Sequence, residues 1–315
     1  MPQIKIWNGA WAKPKSIKVW DGASWKPRSS KYWNGSSWVP FLSYESWTDG
    51  APMPTGRRIF AQVGFNGIIY AIGGLNSSSS STARDTNEAY STASNTWSTK
   101  TSMTYAQHGV RAAESGGKIY AIGGYPNSAY SNQMYDPSTN TWAQRTAMPN
   151  WADGLAVEKR SDGLIHAITG MRMLTRYTQH YLYNPGTNAW TTLTNIPSGR
   201  AYPSSAALGN DIYIIGGNPV SGVDNKVYKY SNSTNSWIEA ASLSDAYNGF
   251  AAGGINGKVY SAGSNYEVYT PEANSWSNRG AAGVFDSGGM CVLDNKLYCM
   301  GGGSYSNQVK ILPVS

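Results

Sequence analysis

The chain is poor in charged residues, cysteine and long apolar runs, and each shortage excludes a class of protein. Only 14% of the 315 residues are charged, against about 25% in an average soluble protein, so disorder driven by charge is excluded. Two cysteines cannot form a disulfide framework. No segment approaches the roughly 18 apolar residues of a membrane-spanning helix, and the first residues lack the apolar core of a signal peptide. We therefore expect a protein made in the cytoplasm and not exported.

Glycine and the aromatic residues that carry a polar group are plentiful. The sequence holds 35 Gly, 22 Tyr and 13 Trp but only 5 Phe, a composition typical of all-β proteins that bind through their surfaces. The net charge of +7 is concentrated at the start, because residues 1–42 hold seven basic residues and one acidic residue, whereas residues 43–315 hold 18 and 17. The basic character therefore belongs to a short N-terminal segment, and nucleic acid is not supported as a partner.

A phrase ending in tryptophan recurs along most of the chain at intervals of 39 to 50 residues. Five of the six copies have a tyrosine seven residues before the tryptophan and an asparagine two residues before it. A tight turn, a short apolar strand and a glycine pair precede each phrase, so each period predicts one four-stranded sheet. The six tryptophans are Trp47, Trp97, Trp142, Trp190, Trp237 and Trp276.

These features resemble the Kelch family, whose repeats build β-propellers. The resemblance covers about residues 43–315 and implies an all-β, six-bladed Kelch-type propeller closed by N- and C-terminal strands. Three residues depart from the family pattern. Thr169 and Ser264 each replace one glycine of a pair, and Ala282 replaces a larger apolar residue. No blade precedes Trp47, and no Asn-x-Trp strand follows the last glycine pair. We therefore expect residues 43–54 to complete the last blade, which would remove two open sheet edges.

Residues 1–42 contain a second, shorter repeat that we interpret as a basic head of three β-hairpins. Each unit is an alternating strand, an Asn-Gly or Asp-Gly turn and a returning strand. The motif is similar to Trp-Asn-Gly-x-x-Trp repeats of bacteriophage tail and tail-fibre proteins, which implies docking onto other tail or fibre proteins. A small structural cap and a cell-wall-binding module are the alternatives. The predicted docking residues are Trp7, Trp11, Trp20, Trp25, Trp33 and Trp38.

The candidate ligand site lies in the loops that join consecutive blades, ten and eleven residues after each tryptophan. Kelch domains resemble one another in carrying arginine there, and in binding modules of the family this arginine faces the ligand, so Arg58 and Arg200 are the nearest matches. The alternative is that these side chains cap strands or pair with carboxylates. Trp151 stands where other blades have small residues, which predicts a protruding aromatic. The predicted ligand-binding residues are Arg57, Arg58, His108, Trp151, Asp153, Arg200, Tyr247 and Asp286.

The histidines and cysteines do not suggest a catalytic or metal centre. His166 stands where the other blades carry tyrosine, and His180 should enter the same strand as Tyr183, so only His108 is expected to be exposed. Cys291 and Cys299 lie in one predicted hairpin on opposite faces, so both thiols should be free. The spacings match no zinc or calcium site, phosphate-binding loop or nucleophile elbow. We expect neither catalytic residues nor a cofactor.

These observations predict a non-enzymatic component of a bacteriophage virion, located in the tail. The head would anchor the chain to other tail or fibre proteins, and the mouth of the propeller would bind a glycan or protein of the bacterial surface. Two alternatives remain open. One is a structural decoration or scaffold protein of the virion, and the other is a sugar-processing Kelch enzyme, favoured only if a carboxylate and His108 converge at the mouth.

Overall fold

The computed structural model describes residues 47–314, apart from 77–81, 127–131, 151, 247–250, 264 and 282–287, together with the backbone of four strands between residues 18 and 41. The chain divides into two compact units, residues 1–46 and residues 47–315. The described part of the larger unit is all β apart from short 3-10 turns, which include Pro271–Ala273 and Gly303–Tyr305. None of the described helices is long and apolar enough to cross a membrane.

The N-terminal unit contains two antiparallel hairpins. Strand β1 (Lys18–Trp20) pairs with β2 (Trp25–Pro27), and β3 (Ser30–Trp33) pairs with β4 (Trp38–Phe41). The register places Trp20 opposite Trp25 and Trp33 opposite Trp38. These are the second and third predicted hairpins. The first, with Trp7 and Trp11, lies outside the described residues.

The larger unit is a six-bladed β-propeller, which confirms the predicted fold class. Each blade is a four-stranded antiparallel sheet whose strands follow chain order from the central axis outwards, except in the sixth blade. The blades in order are β6 (Ala61–Phe65), β7 (Ile68–Ile72), β8 (Asn87–Ser91), β9 (Thr96–Lys100); β11 (Arg111–Ser115), β12 (Lys118–Ile122), β14 (Asn132–Asp136), β15 (Thr141–Gln144); β16 (Ala156–Lys159), β17 (Ile165–Ile168), β20 (His180–Asn184), β21 (Ala189–Thr192); β22 (Ser204–Leu208), β23 (Asp211–Ile215), β24 (Val227–Ser231), β25 (Ser236–Ala240); β26 (Ala251–Ile255), β27 (Lys258–Ala262), β28 (Asn265–Thr270), β29 (Ser275–Ala281); and β30 (Gly289–Leu293), β31 (Lys296–Met300), β32 (Val309–Pro313), β5 (Thr48–Asp49).

The sixth blade joins the two ends of the propeller. Strand β5 supplies its outer strand and pairs with β32, with Thr48 opposite Ile311 and Asp49 opposite Lys310. The Lys310 ammonium also lies 2.5 Å from the Asp49 carboxylate. The predicted closure of the ring by N- and C-terminal strands is therefore confirmed.

In the first five blades the recurring Tyr, Asn and Trp form a clamp on the preceding blade. In the second blade the Tyr135 hydroxyl donates to Asn140 Oδ1 at 2.7 Å, and the same oxygen accepts the Thr101 backbone N–H at 2.9 Å. The Trp142 indole N–H donates to the Thr101 carbonyl oxygen at 2.8 Å. The same arrangement recurs in the first, third, fourth and fifth blades. The repeated phrase therefore holds neighbouring blades together.

The asparagine and the glycine pair fill backbone positions that most residues avoid. Asn140 has a φ of 55°, a left-handed conformation that asparagine tolerates better than most side chains. The second glycine of the first pair, Gly74, has a φ of 99°, and a Cβ there would lie 2.7 Å from the Cβ of Phe60. The glycine is therefore required both by its backbone angle and by the close approach of the chain before β6.

The cysteines and two of the histidines occupy framework positions. Cys291 pairs with Tyr298 and Cys299 with Met290, so the thiols point to opposite faces of the hairpin, and both are free. His166 and His180 are fully buried, with 2.7 Å between His166 Nδ1 and His180 Nε2. Burial lowers the pKa of His166 to about 4 and that of His180 to about 3. The pair is therefore uncharged at neutral pH.

Candidate functional site

We use the term loop face for the side of the ring that carries two sets of segments. One set joins the last strand of a blade to the first strand of the next, and the other follows the glycine pairs. Because strands alternate in direction, both sets emerge on the same side. Short antiparallel bridges join them in four blades, between Arg58 and Leu75, His108 and Tyr125, Asp153 and Met171, and Ala201 and Asn218. In these four blades the bridges fix the backbone of the residue that lies eleven positions after the tryptophan.

One residue further along, backbone hydrogen bonds link four consecutive blades at the axis. The Gly109 N–H donates to the Ile59 carbonyl, Gly154 to Gly109, and Tyr202 to Gly154, at 2.7–3.0 Å. All four residues have φ between 51° and 67°. For Ile59 and Tyr202 this backbone conformation is strained, because left-handed angles are unusual for large or β-branched side chains. The arc of bonds fixes the position of the loop face over the axis.

The four described residues that lie ten positions after a tryptophan, Arg57, Gln107, Ala152 and Arg200, are buried in the blades. Arg57 and Arg200 are fully buried. Arg57 donates to three backbone carbonyls and lies 2.5 Å from the Glu88 carboxylate, and Arg200 lies 3.3 Å from Asp224. Arg57 and Arg200 therefore face inwards, because the extended segment alternates, and their role as ligand contacts stays a prediction. The alternative role, pairing with carboxylates and strand ends, is the observed one.

Arg58, the next residue after Arg57, is only partly buried and lies over an aromatic ring. Its guanidinium carbon lies 5.1 Å from the centroid of the Tyr305 ring, a cation–π contact. Among the described residues no carboxylate pairs with Arg58, and its buried Nε has no hydrogen-bond partner. The Arg58 charge also helps to lower the pKa of His108. We call Arg58, His108, Tyr125 and Tyr305 the Arg58 cluster.

His108 is buried, so the expectation that it is exposed is wrong. Its side chain is covered by the loop after the second glycine pair, and its ring centroid lies 5.5 Å from that of Tyr125. Both ring nitrogens lack a hydrogen-bond partner within the described part of the chain. Burial, with a smaller effect of Arg58, lowers the pKa of His108 to about 4. His108 is therefore neutral near pH 7 and offers one donor and one acceptor to a ligand.

Asp153 is buried beside the axis. Its carboxylate accepts the Tyr202 hydroxyl at 2.7 Å. Burial raises the pKa of Asp153, although the hydrogen bond from Tyr202 and the charge of Arg176 oppose the rise. Asp153 therefore supports the backbone arc between the third and fourth blades and is not free to bind a ligand directly.

The third and fourth blades expose apolar side chains on the loop face. Strands β18 (Met171–Arg172) and β19 (Thr175–Arg176) form a hairpin whose tip, Met173 and Leu174, is 80% and 87% exposed. Val220 in the next blade is 84% exposed. The Arg176 Nε–H donates to the Asn218 carbonyl at 3.2 Å, which joins the two loops. We call Met173, Leu174 and Val220 the apolar tips.

Several predicted site residues cannot be assigned a position. Trp151, Tyr247 and Asp286 lie outside the described residues, as do Trp7 and Trp11. The side chains of Trp20, Trp25, Trp33 and Trp38 lie outside them too, although their backbones form the hairpins described above. The predictions for these nine residues therefore stay predictions.

Tyr125, Tyr305 and the apolar tips are residues that reasoning from the sequence did not single out. Each follows a glycine pair, or Thr169-Gly170 in place of one, in loops that are rich in tyrosine, serine and asparagine. The feature of the sequence that could have identified them is their position shortly after a glycine, since Tyr125 comes directly after Gly124 and Met173 lies three residues after Gly170. Across the part of the chain that the structure describes, no three His, Cys, Asp or Glu residues are grouped so as to hold a metal ion.

The Kelch motif matches this chain at residues 63–104, 108–149 and 199–244. Kelch-like protein 21 of Danio rerio is 38% identical over 85 residues, which make up 26% of this chain and 14% of that protein. Kelch-like protein terF of Aspergillus terreus is 28% identical over 171 residues, or 44% of this chain and 37% of that protein. The matches thus span well under half the length of these relatives.

Among solved structures, that of YjhT is similar with a TM-score of 0.70 and 15% sequence identity. The alignment covers 83% of this chain and 95% of that one. At this identity the likeness concerns the fold alone.

Proposed function

We propose, from the premise that the chain is a Kelch-repeat β-propeller, that it is a non-enzymatic binding protein of a bacteriophage tail or tail fibre. Its loop face would bind a protein of the bacterial surface, and its N-terminal hairpins would attach it to the particle. The virion assignment is supported by the likeness of the Trp-Asn-Gly-x-x-Trp hairpins to tail and tail-fibre proteins. The site of synthesis would be the host cytoplasm, with release in the particle.

The binding role rests mainly on one observation, the Arg58 guanidinium stacked on Tyr305 with no carboxylate partner among the described residues. A partly buried cation without a counter-ion favours an anionic ligand group, and arginine binds carboxylates with two parallel hydrogen bonds. Tyr125, 39% exposed, adds flat aromatic area beside it. An acidic side chain of a partner suits this cluster.

The apolar tips favour a protein over a glycan as the partner. Met173 and Leu174 are aliphatic and almost fully exposed, and contiguous exposed apolar groups are typical of protein-binding surfaces. Sugars are bound mainly by aromatic faces and hydrogen bonds, to which methionine and leucine contribute little. A host-surface glycan is therefore the second candidate ligand.

An array of bacterial surface proteins and envelope polysaccharides tests the proposal. We expect the labelled protein to bind a surface protein, and Arg58→Gln to weaken that binding about tenfold or more. Arg279→Gln is the matched control, because Arg279 is exposed on the outer strand β29 of the fifth blade and is not part of the Arg58 cluster. Binding confined to polysaccharides would assign a glycan instead. Equal binding by wild type and Arg58→Gln would remove the Arg58 cluster from the site.

The attachment role is tested by removing residues 1–41. Phage particles assembled with the shortened chain should lack it, while the purified propeller keeps its ligand. If the shortened chain is still incorporated, the hairpins are not the anchor, and a decoration or scaffold role mediated by the propeller becomes the better explanation.

A further inference from the structure

The six innermost strands surround a central channel that the functions proposed above do not use. Strands β6, β11, β16, β22, β26 and β30 contact one another in a closed ring. They enclose a cavity of about 420 Å³, within the range of small-molecule sites in proteins. Its walls include Gln62, Arg111, Glu158 and Ser204, whereas no member of the Arg58 cluster lines it.

Arg111 is the unexpected residue in this wall. The other five innermost strands begin with a small residue, namely Ala61, Ala156, Ser204, Ala251 and Gly289. The frame of the propeller therefore requires no long side chain at this position. An arginine there introduces a charge where the repeated fold uses alanine, serine or glycine.

The Arg111 guanidinium has far more donor capacity than the protein uses. One Nη1–H donates to the Phe60 carbonyl at 2.9 Å, out of five N–H groups. No carboxylate pairs with Arg111 among the described residues. Burial lowers its pKa, and the nearby Tyr202 only partly offsets this effect. A charge held in a protein wall without a partner is unfavourable, so an anion in the channel would compensate it.

Two other residues that line the cavity also carry a polar atom without a partner. The Gln62 side chain donates through Nε2 to the Tyr298 carbonyl at 2.9 Å, which leaves its buried Oε1 without a hydrogen bond. The buried Ser204 hydroxyl has none either. Buried polar groups of folded proteins are nearly always hydrogen-bonded, so exceptions that line one cavity point to a ligand or water.

The remaining charges of the channel do not neutralise Arg111. Lys159 is paired with Glu114 at 2.5 Å. Glu158 accepts the Ser205 hydroxyl at 2.7 Å, and no interaction between Glu158 and Arg111 is present in the structure. Arg111 is therefore a cation that no carboxylate neutralises among the described residues of the cavity wall.

We propose that the central channel binds a small organic oxyanion, a carboxylate or a phosphate ester, through Arg111. The guanidinium would hold the anionic group with two parallel hydrogen bonds. This site is separate from the macromolecular site on the loop face.

Calorimetric titration of the full chain tests the proposal with L-malate, a hydroxycarboxylate, and glycerol 3-phosphate, a phosphate ester. We expect one of them to bind with a Kd of about 1 mM or lower, and glycerol, which lacks the charge, not to bind. Arg111→Gln should weaken binding about tenfold to a hundredfold, and Arg279→Gln should leave it unchanged. The tighter of the two anions identifies the chemical class.

Absence of binding by both anions, equal binding by Arg111→Gln, or equal losses in Arg111→Gln and Arg279→Gln would each overturn the proposal. A second measurement needs no variant, in case Arg111→Gln does not fold. Phenylglyoxal modifies arginines, and peptide mass mapping reports which ones react. The bound anion should slow modification of Arg111 at least severalfold and leave that of Arg279 unchanged. Unaltered reaction at Arg111 with saturating anion would also overturn the proposal.

Discussion

The ionisation of Glu158 makes a quantitative prediction about stability. Burial beside the channel raises the pKa of Glu158 from 4.5 to about 7, although hydrogen bonds from the Ser205 hydroxyl and the Ala207 backbone N–H lower it. The folded protein therefore retains this proton to a higher pH than the unfolded chain does. The contribution of Glu158 to stability is intact below about pH 4.5 and is lost as the pH rises through about 7. At about 1.4 kcal/mol per pH unit, the loss is about 3 kcal/mol, reduced where channel water screens the charge.

Urea unfolding of wild type and Glu158→Gln at about pH 5 and pH 8 measures this effect. The neutral amide of the variant cannot ionise. Between about pH 5 and pH 8, its free energy of unfolding should therefore rise relative to that of wild type by up to about 3 kcal/mol. Other groups with altered pKa, such as His166 and Asp153, are present in both proteins and cancel in the comparison. The same pH dependence in both proteins would refute the assignment of a raised pKa to Glu158.

Two further predictions concern the frame of the propeller. Arg57→Met should lower the free energy of unfolding, measured in urea, by about 3–5 kcal/mol, because it leaves Glu88 buried without its cation. The double variant with Glu88→Leu should recover most of this loss. A loss below about 1 kcal/mol for Arg57→Met alone would contradict the role of the ion pair. Deleting residues 1–41 should leave the melting temperature of the propeller unchanged, whereas deleting residues 1–50 should lower it by roughly 5 °C, because the sixth blade loses its outer strand. Equal melting temperatures for the two truncations would show that the closing strand adds no stability.

The frame of the propeller was predictable because it is repeated. The Tyr135, Asn140 and Trp142 clamp occurs in five blades, so one local pattern was visible many times over. The opposite faces of Cys291 and Cys299 were predictable because both residues lie in one hairpin, and the register of a two-residue hairpin is fixed by its turn.

The site was less predictable because it depends on contacts between loops of different length. Whether His108 is exposed is decided by the position of Tyr125, which is 17 residues away in the chain and belongs to a loop with no repeated pattern. Arg57 and Arg58 are adjacent, and only the direction of the extended segment determines which one faces outwards. Spacing identified the correct pair of positions but not the orientation of either side chain.

The pairing of Thr48 with Ile311 also determines when the protein can finish folding during synthesis. These residues are 263 positions apart, so the ring cannot close until residue 311 has left the ribosome. The first five blades are complete by then, and each presents its clamp to the blade before it. Contacts of such long range slow folding, and the nascent protein carries an unpaired β32 edge until β5 returns to it. We expect this late intermediate to be the species most prone to aggregation when the protein is overproduced.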